Sequence, residues 1–394
     1  MTATRIRHAL TLALGCLLLA GCGGGDGGSS AKATLPDKAF TDDVVGVTWM
    51  SAQAMSADNL EASAMALIDA IPAGSEQIKA MTEQMRAGLA EGIASHRDNM
   101  GELTGAGVEG VLIGMIGPDD PEGQPSSFAL VKVKPGADLN AVQEALAKVE
   151  GGVAKVELEP YAEGWLAAKP RGGGAGGQIV APPTDGSAEN AAAFSDAMAG
   201  SSKRIPFSFR INDEVRQQLR DNPPPQLQPL AAPLTKATDG SVDVTLGKSP
   251  ALNVNLNFGE AAAASEFAST VNGLMALAQG QLKSQLMNAP EPPDAERISA
   301  LFDRLKIKAD GSAATMSVNI KTIQDAMAIA EDAGMMEQLP MMLMMFGGGM
   351  MGPGDGGPMG PGGHGGGPMP PMPPGMDDGG GADDDRGTDG GSGY

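Results

Sequence analysis

The run Ser241-Val242-Asp243-Val244-Thr245-Leu246-Gly247-Lys248-Ser249-Pro250-Ala251-Leu252-Asn253-Val254-Asn255-Leu256-Asn257-Phe258 alternates apolar and polar residues on both sides of a Gly/Pro turn. Successive side chains of a strand point to opposite faces, so this pattern predicts two strands joined as a hairpin. Downstream the period changes. Phe267, Val271, Leu274, Ala278, Leu282 and Leu286 recur at helical spacing, and Pro290, Pro292 and Pro293 end that helix. Asp294 starts a short helix through Ile298, Leu301 and Phe302. Leu305 and Ile307, the Asp310-Gly311 turn, and Ala314, Met316, Val318 and Ile320 predict a second hairpin. Thr322 opens a last helix to about Ala333, with Gly334 as its stop.

Upstream, Phe207, Phe209 and Ile211 alternate as another strand. Asn212 caps a short helix through Val215 and Leu219, Pro223-Pro224-Pro225 stops it, and Asp239-Gly240 reads as a turn. The order strand, helix, two strands recurs earlier in the chain. Strand 127–134 is followed by a helix over 138–149 with Leu139, Val142, Leu146 and Val149 on one stripe, then by a hairpin over 153–168. A further strand precedes each set, at 108–116 and 241–246. The chain opens its structured part with Val45, Val47 and Trp49 in alternation. Two helices follow, begun by Ser56 or Asp58 and by Ser75; His96 and Arg97 fall in the last turn of the second, and Gly101 is its end cap.

These patterns predict an α+β fold of two related modules, each an antiparallel sheet with helices on one face. The modules occupy residues 39–170 and 205–334. Residues 171–204, Gly- and Pro-rich at their start, read as a linker.

Composition excludes several functions. The 27 basic residues against 48 acidic ones give a net charge of −21, which opposes nucleic-acid binding and direct attraction to anionic lipid heads. The chain has two cysteines, Cys16 and Cys22, and three histidines, His8, His96 and His364. That leaves no basis for a thiolate or His-rich metal centre, HExxH is absent, and no cofactor is expected. His96 reads as a surface residue near a helix end. With aromatics at 3%, stacking platforms for glycans or single strands are not supported.

Ahead of the structured part, Arg5 and Arg7 precede an apolar run over 9–18, and Leu19-Ala20-Gly21-Cys22 follows. This resembles the lipobox of bacterial lipoprotein signal peptides. The resemblance implies a signal peptide over 1–21, removed before Cys22, with acyl chains on Cys22 holding the protein to the membrane from outside the cytoplasm. The apolar run is too short to span a bilayer. Residues 22–38, with a Gly/Ser-rich start, then form a flexible tether. Gly23 stands where enterobacterial lipoproteins carry an Asp as an inner-membrane retention signal, so the resemblance implies the outer membrane in a cell that has one.

The layout of 39–333 is similar to secreted proteins of planctomycete-type bacteria. Those open with an acidic start to a Val-rich strand and a helix, as over 40–65 here, and carry a late strand-Asp-Gly-strand hairpin, as over 305–320. That group has no established activity, and the resemblance implies no site residues.

Residues 335–394 are rich in Gly, Pro, Met and Asp and are expected to be a disordered low-complexity tail. Its methionines include Met341, Met342, Met344, Met345, Met350 and Met351. Thioethers are soft ligands, so a Cu(I) site there is one alternative reading. The apolar start of the tail is expected to cap the second module or lie on it.

Asp119, Asp120 and Glu122 lack the order of an EF-hand loop, and Gly172 to Gly177 lacks the Lys-Ser/Thr of a phosphate loop. Glu157 and Glu159 fall on the polar face of a strand. The sequence therefore predicts a lipid-anchored envelope protein with a binding or structural role and an envelope protein as partner. A carboxylate-dependent hydrolase is the other alternative.

Overall fold

The computed structural model describes residues 35–117, 125–148, 156–170, 179–198, 203–223, 227–286 and 294–333. The lipobox with Cys22, the acidic loop over 119–122, the glycine run over 172–177 and the whole tail over 335–394 lie outside the described residues.

Ten strands form one antiparallel sheet in the order β4-β5-β3-β2-β1-β6-β7-β8-β10-β9. The first half contains β1 (Val44–Ser51), β2 (Val108–Ile116), β3 (Ser126–Val133), β4 (Val156–Ala162) and β5 (Trp165–Pro170). The second contains β6 (Arg204–Arg210), β7 (Ala237–Thr245), β8 (Ala251–Phe258), β9 (Lys308–Asp310) and β10 (Ala313–Asn319). Helices α1 (Ala57–Asp69) and α2 (Glu76–Gly105) follow β1, and α3 (Leu139–Lys148) follows β3. In the second half α5 (Asp213–Asp221) and α6 (Gln228–Leu234) follow β6, while α7 (Ala261–Leu286) and α8 (Ala295–Leu305) follow β8. Helix α9 (Ile320–Asp332) ends the described chain.

The two halves thus share one plan: strand, two helices, two strands, a helical stretch (α3 in the first half, α7 and α8 in the second), two strands, with the last two strands reversed in spatial order. The predicted repeat is present and also takes in β1 and β6 with their helix pairs. The modules are not separate sheets. They meet through β1 and β6, where Val47 faces Ser208, Gly46 faces Phe209 and Thr48 faces Phe207.

Four helix starts are capped by side chains, whereas the end cap expected at Gly101 does not form, because α2 runs on to Gly105. Ile78 N–H donates to Ser75 Oγ, Asn140 N–H to Asp138 Oδ1, Val215 N–H to Asn212 Oδ1 and Glu296 N–H to Asp294 Oδ1. Ser56 makes no cap hydrogen bond, and Asn319, not Thr322, caps α9.

On the front face of the sheet, Val108, Val131, Val133, Val156, Leu158 and Leu166 are buried with Val142 and Leu146 of α3. On the back face of the first half, Val47, Trp49, Leu112, Leu130, Trp165 and Ala167 are buried with Phe40 and Phe194. Phe194 belongs to α4 (Ala188–Met198), which corrects the reading of 171–204 as linker alone. It also places this helix on the face opposite α1, α2, α3, α6 and α7. The chain entering α4 is clamped against the N-terminal segment: Gly186 N–H donates to Lys38 O and Ser187 N–H to Phe40 O. A Cβ on Gly186 would lie 2.5 Å from the Phe40 backbone, so only glycine fits there.

Asp239-Gly240 lies inside β7 and is not a turn. Gly240 provides a seat for its neighbours, since a Cβ there would lie 2.5 Å from the Phe209 ring. The turns of the two second-half hairpins stand where the sequence places them, with Gly247 and Gly311 at positive φ.

Candidate functional site

Where α4, β6, α5 and β7 meet, they enclose an open groove of about 530 Å³. Asp42, Phe194, Ser208, Arg210, Asp213, Arg216 and Asp239 are among its walls. Strand alternation sends Ser208 and Arg210 of β6 to the back face beside Asp239 of β7, which pairs with Arg210 in the ladder.

Each charged group on the wall is held. The Arg210 guanidinium lies 4.7 Å from the Phe194 ring centroid, a cation–π contact. Its Nη1 donates to Asn190 Oδ1 at 3.1 Å and its Nη2 to the Asn190 carbonyl at 3.0 Å. Asn190 Nδ2 in turn donates to Asp42 Oδ1 at 3.0 Å. On the other wall Arg216 Nε donates to the Ala237 carbonyl at 3.2 Å and Nη1 to Asp213 Oδ1 at 2.8 Å. Asp239 accepts from Thr238 Oγ1 at 2.7 Å and from Asn257 Nδ2 at 2.5 Å. The result is a wall of both charge signs whose side chains are oriented before anything enters.

The groove opens onto a polar sheet face. By register, Ser208, Ser241, Asn255 and Thr315 form one row across β6, β7, β8 and β10. Asp243, Asn253 and Ser317 form the next row across β7, β8 and β10. Arg204 Nη2 and Asp243 Oδ1 are 2.5 Å apart. Asn255 Oδ1 is buried without a hydrogen-bond partner among the described residues. A smaller hollow of about 400 Å³ lies between α1 and α2, edged by Asp69, Lys79, Glu83 and Arg86.

His96 is half-buried, and its Nε2 sits 3.3 Å from the Met55 carbonyl. Burial lowers its pKa from 6.5, against the opposing pull of that hydrogen bond. The ring's partner is a carbonyl and not a carboxylate; the neighbouring Arg97 takes Asp58 and Glu61. The structure therefore does not bring His96 into an acid–base pair, and it places the ring at the α1–α2 contact, away from the groove. Glu159 pairs with Lys169 on the adjacent strand. Among the described residues no group of three His, Cys, Asp or Glu side chains is placed to hold a metal ion. The methionines of the Cu(I) reading, Met341, Met342, Met344, Met345, Met350 and Met351, lie outside the described residues.

Sequence reasoning passed over the groove. Asp42, Asn190, Arg210, Arg216 and Asp239 are ordinary surface residue types, and no motif links them. The one local signal was an arginine at the end of the alternating strand Phe207-Ser208-Phe209-Arg210.

No helix among the described residues is long and apolar enough to cross a membrane. Comparison with known proteins returned no matching family model, no similar curated protein and no similar solved structure.

Proposed function

We propose that this chain is a lipid-anchored, extracytoplasmic protein of the cell envelope, acylated on Cys22, whose work is to bind a polar partner. The anchoring part rests on Leu19-Ala20-Gly21-Cys22 after a basic, apolar leader. The observation that carries the binding part is the prearranged wall of the groove. Its arginines and aspartates are already committed to Asn190, Asp213, Thr238 and Asn257. A strongly charged ligand would meet its own sign there, whereas a neutral or zwitterionic partner rich in hydrogen-bonding groups would be accommodated. Side chains fixed in advance lose little conformational freedom on binding, which favours affinity.

Two experiments test the two parts. Labelling cells with an alkyne-tagged fatty acid should mark the native chain and not Cys22→Ala, and Cys22→Ala should leave the membrane fraction; an unlabelled native chain would end the anchoring claim. A photo-crosslinking residue in place of Thr238, at the groove wall, should capture a discrete product in intact cells. The same residue in place of Glu83, at the hollow between α1 and α2, should not. Identical capture from both positions would remove the groove as the binding site.

A further inference from the structure

The front face of the second half carries three apolar rows across the strands. Ile205 and Val244 pack with Leu60, Ile93 and Leu246, under α1 and α2. Phe209, Leu256 and Ala314 pack with Ala264, Phe267 and Leu234, under α6 and α7. Between them, Phe207, Val242, Val254 and Met316 pair directly across β6, β7, β8 and β10. This middle row stays half-buried, whereas the buried face of the first half is closed by α3. Helix α7 does not close the gap: Leu274 and Leu277 near its middle emerge to 36% and 68% exposure, and Leu282 and Leu286 farther on pack with Ile298 and Leu301 of α8 and Ile329 of α9. The row is thus the floor of an apolar trough between two helical walls.

The end of α9 lies at the wall of this trough. Asp332 pairs with Arg297 at the start of α8, and Glu331 Oε1 lies so near Gly74, between α1 and α2, that a Cβ there would be 2.3 Å from it. Directly beyond come residues 335–344, Met-Met-Glu-Gln-Leu-Pro-Met-Met-Leu-Met, with Glu337 their one charge. Ten residues reach about 33 Å extended. The floor from β6 to β10 spans three strand spacings, about 14 Å. Methionine is unbranched and fills irregular apolar surface well.

We infer that residues 335–344 dock in this trough and complete the front face of the second half. The segment and the trough floor each leave apolar surface in water when apart, and the end of α9 delivers one to the other. The inference is independent of the groove on the back face.

A photo-crosslinking residue at Met342 in the full chain tests it directly. The expected product is an intramolecular link to β7, β8 or β10, absent when the probe is at Met359. Links to a second copy, to lipid, or to any other surface of the chain would overturn it. Truncation gives a second reading that does not depend on the probe. A chain ending at Gly334 should show a several-fold rise in bis-ANS fluorescence and at least tenfold faster amide exchange in β8, and a chain ending at Met344 should match the full protein. Equal behaviour of the two truncations would refute the docking.

Discussion

Val47 of β1 and Ser208 of β6 face each other across the joint between the two halves. Both are buried, yet one is apolar and the other polar. Their difference divides the back face. Around Val47 the aromatic rings of Phe40, Trp49 and Phe194 close over the sheet. From Ser208 onward the face carries Ser, Asn, Asp and Thr. The two sites should therefore respond unequally to exchange. Val47→Ser removes apolar burial and adds an unpartnered hydroxyl, a loss of about 2–3 kcal/mol. Ser208→Val should change stability by less than about 1 kcal/mol, because the Oγ gives up one long contact of 3.5 Å to the Gly240 carbonyl. Urea denaturation of the two variants measures this, and equal losses would contradict the division.

Much of this architecture was legible locally. The alternation from Val242 to Phe258 and the caps at Ser75, Asn212 and Asp294 are interactions within a few residues, and sequence pattern records such interactions directly. The joint was not legible. Val47 and Ser208 belong to different predicted modules, and no periodicity reports which strand lies beside which. Helix α4 escaped notice because its core contacts rest on Ala191 and Phe194, two positions after a Gly/Pro-rich run. Gly240 misled because Asp-Gly is a common turn signal, and here the glycine makes room for Phe209. The groove collects residues from Asp42 to Asp239, so it exists only once the joint has formed.

Gln143 of α3 guards the free edge of β4. Its Oε1 accepts from Leu158 N–H at 2.8 Å and its Nε2 donates to the Val156 carbonyl at 3.0 Å, so a side-chain amide stands where a further strand would pair. Unpaired edges invite association with other chains. Gln143→Leu should cost about 1–3 kcal/mol and produce concentration-dependent self-association in sedimentation velocity. Gln143→Glu keeps the acceptor and loses the donor, so its loss should fall between the two. A monomeric Gln143→Leu protein of unchanged stability would show that the edge needs no guard.

His96 predicts a modest acid sensitivity. Its folded pKa lies below 6.5, so between that value and 6.5 the unfolded chain binds more protons than the folded one. The stability linked to the neutral ring is complete above pH 6.5 and is lost as pH falls through the folded value. His96→Gln retains a donor to the Met55 carbonyl and does not titrate. Urea midpoints measured from pH 7.5 down to 5 should decline less for this variant than for the native chain. Parallel curves would assign the acid sensitivity to other groups.

Tyr161 predicts the opposite edge of the pH range. Its hydroxyl donates to the Pro183 carbonyl, and the Lys38 ammonium lies 4.1 Å from its ring centroid and donates to the Tyr161 carbonyl. Burial, with a further push from the nearby Asp185 carboxylate, raises its pKa from 10.0 to about 12. Between those values the folded chain holds a proton that the unfolded chain has lost, so the stability this tyrosine contributes is intact below pH 10 and lost as pH rises through about 12. A chain ending at Gly334 contains no other tyrosine, so phenolate absorbance at 295 nm reports on this group alone. The folded protein should titrate near pH 12, and the same chain in urea near 10. Asp185→Asn removes the carboxylate and should lower the folded midpoint while leaving it above the value in urea, because burial is the larger cause. A folded midpoint that stays at 10 would mean that the loop carrying Pro183 and Asp185 does not close over the ring in solution.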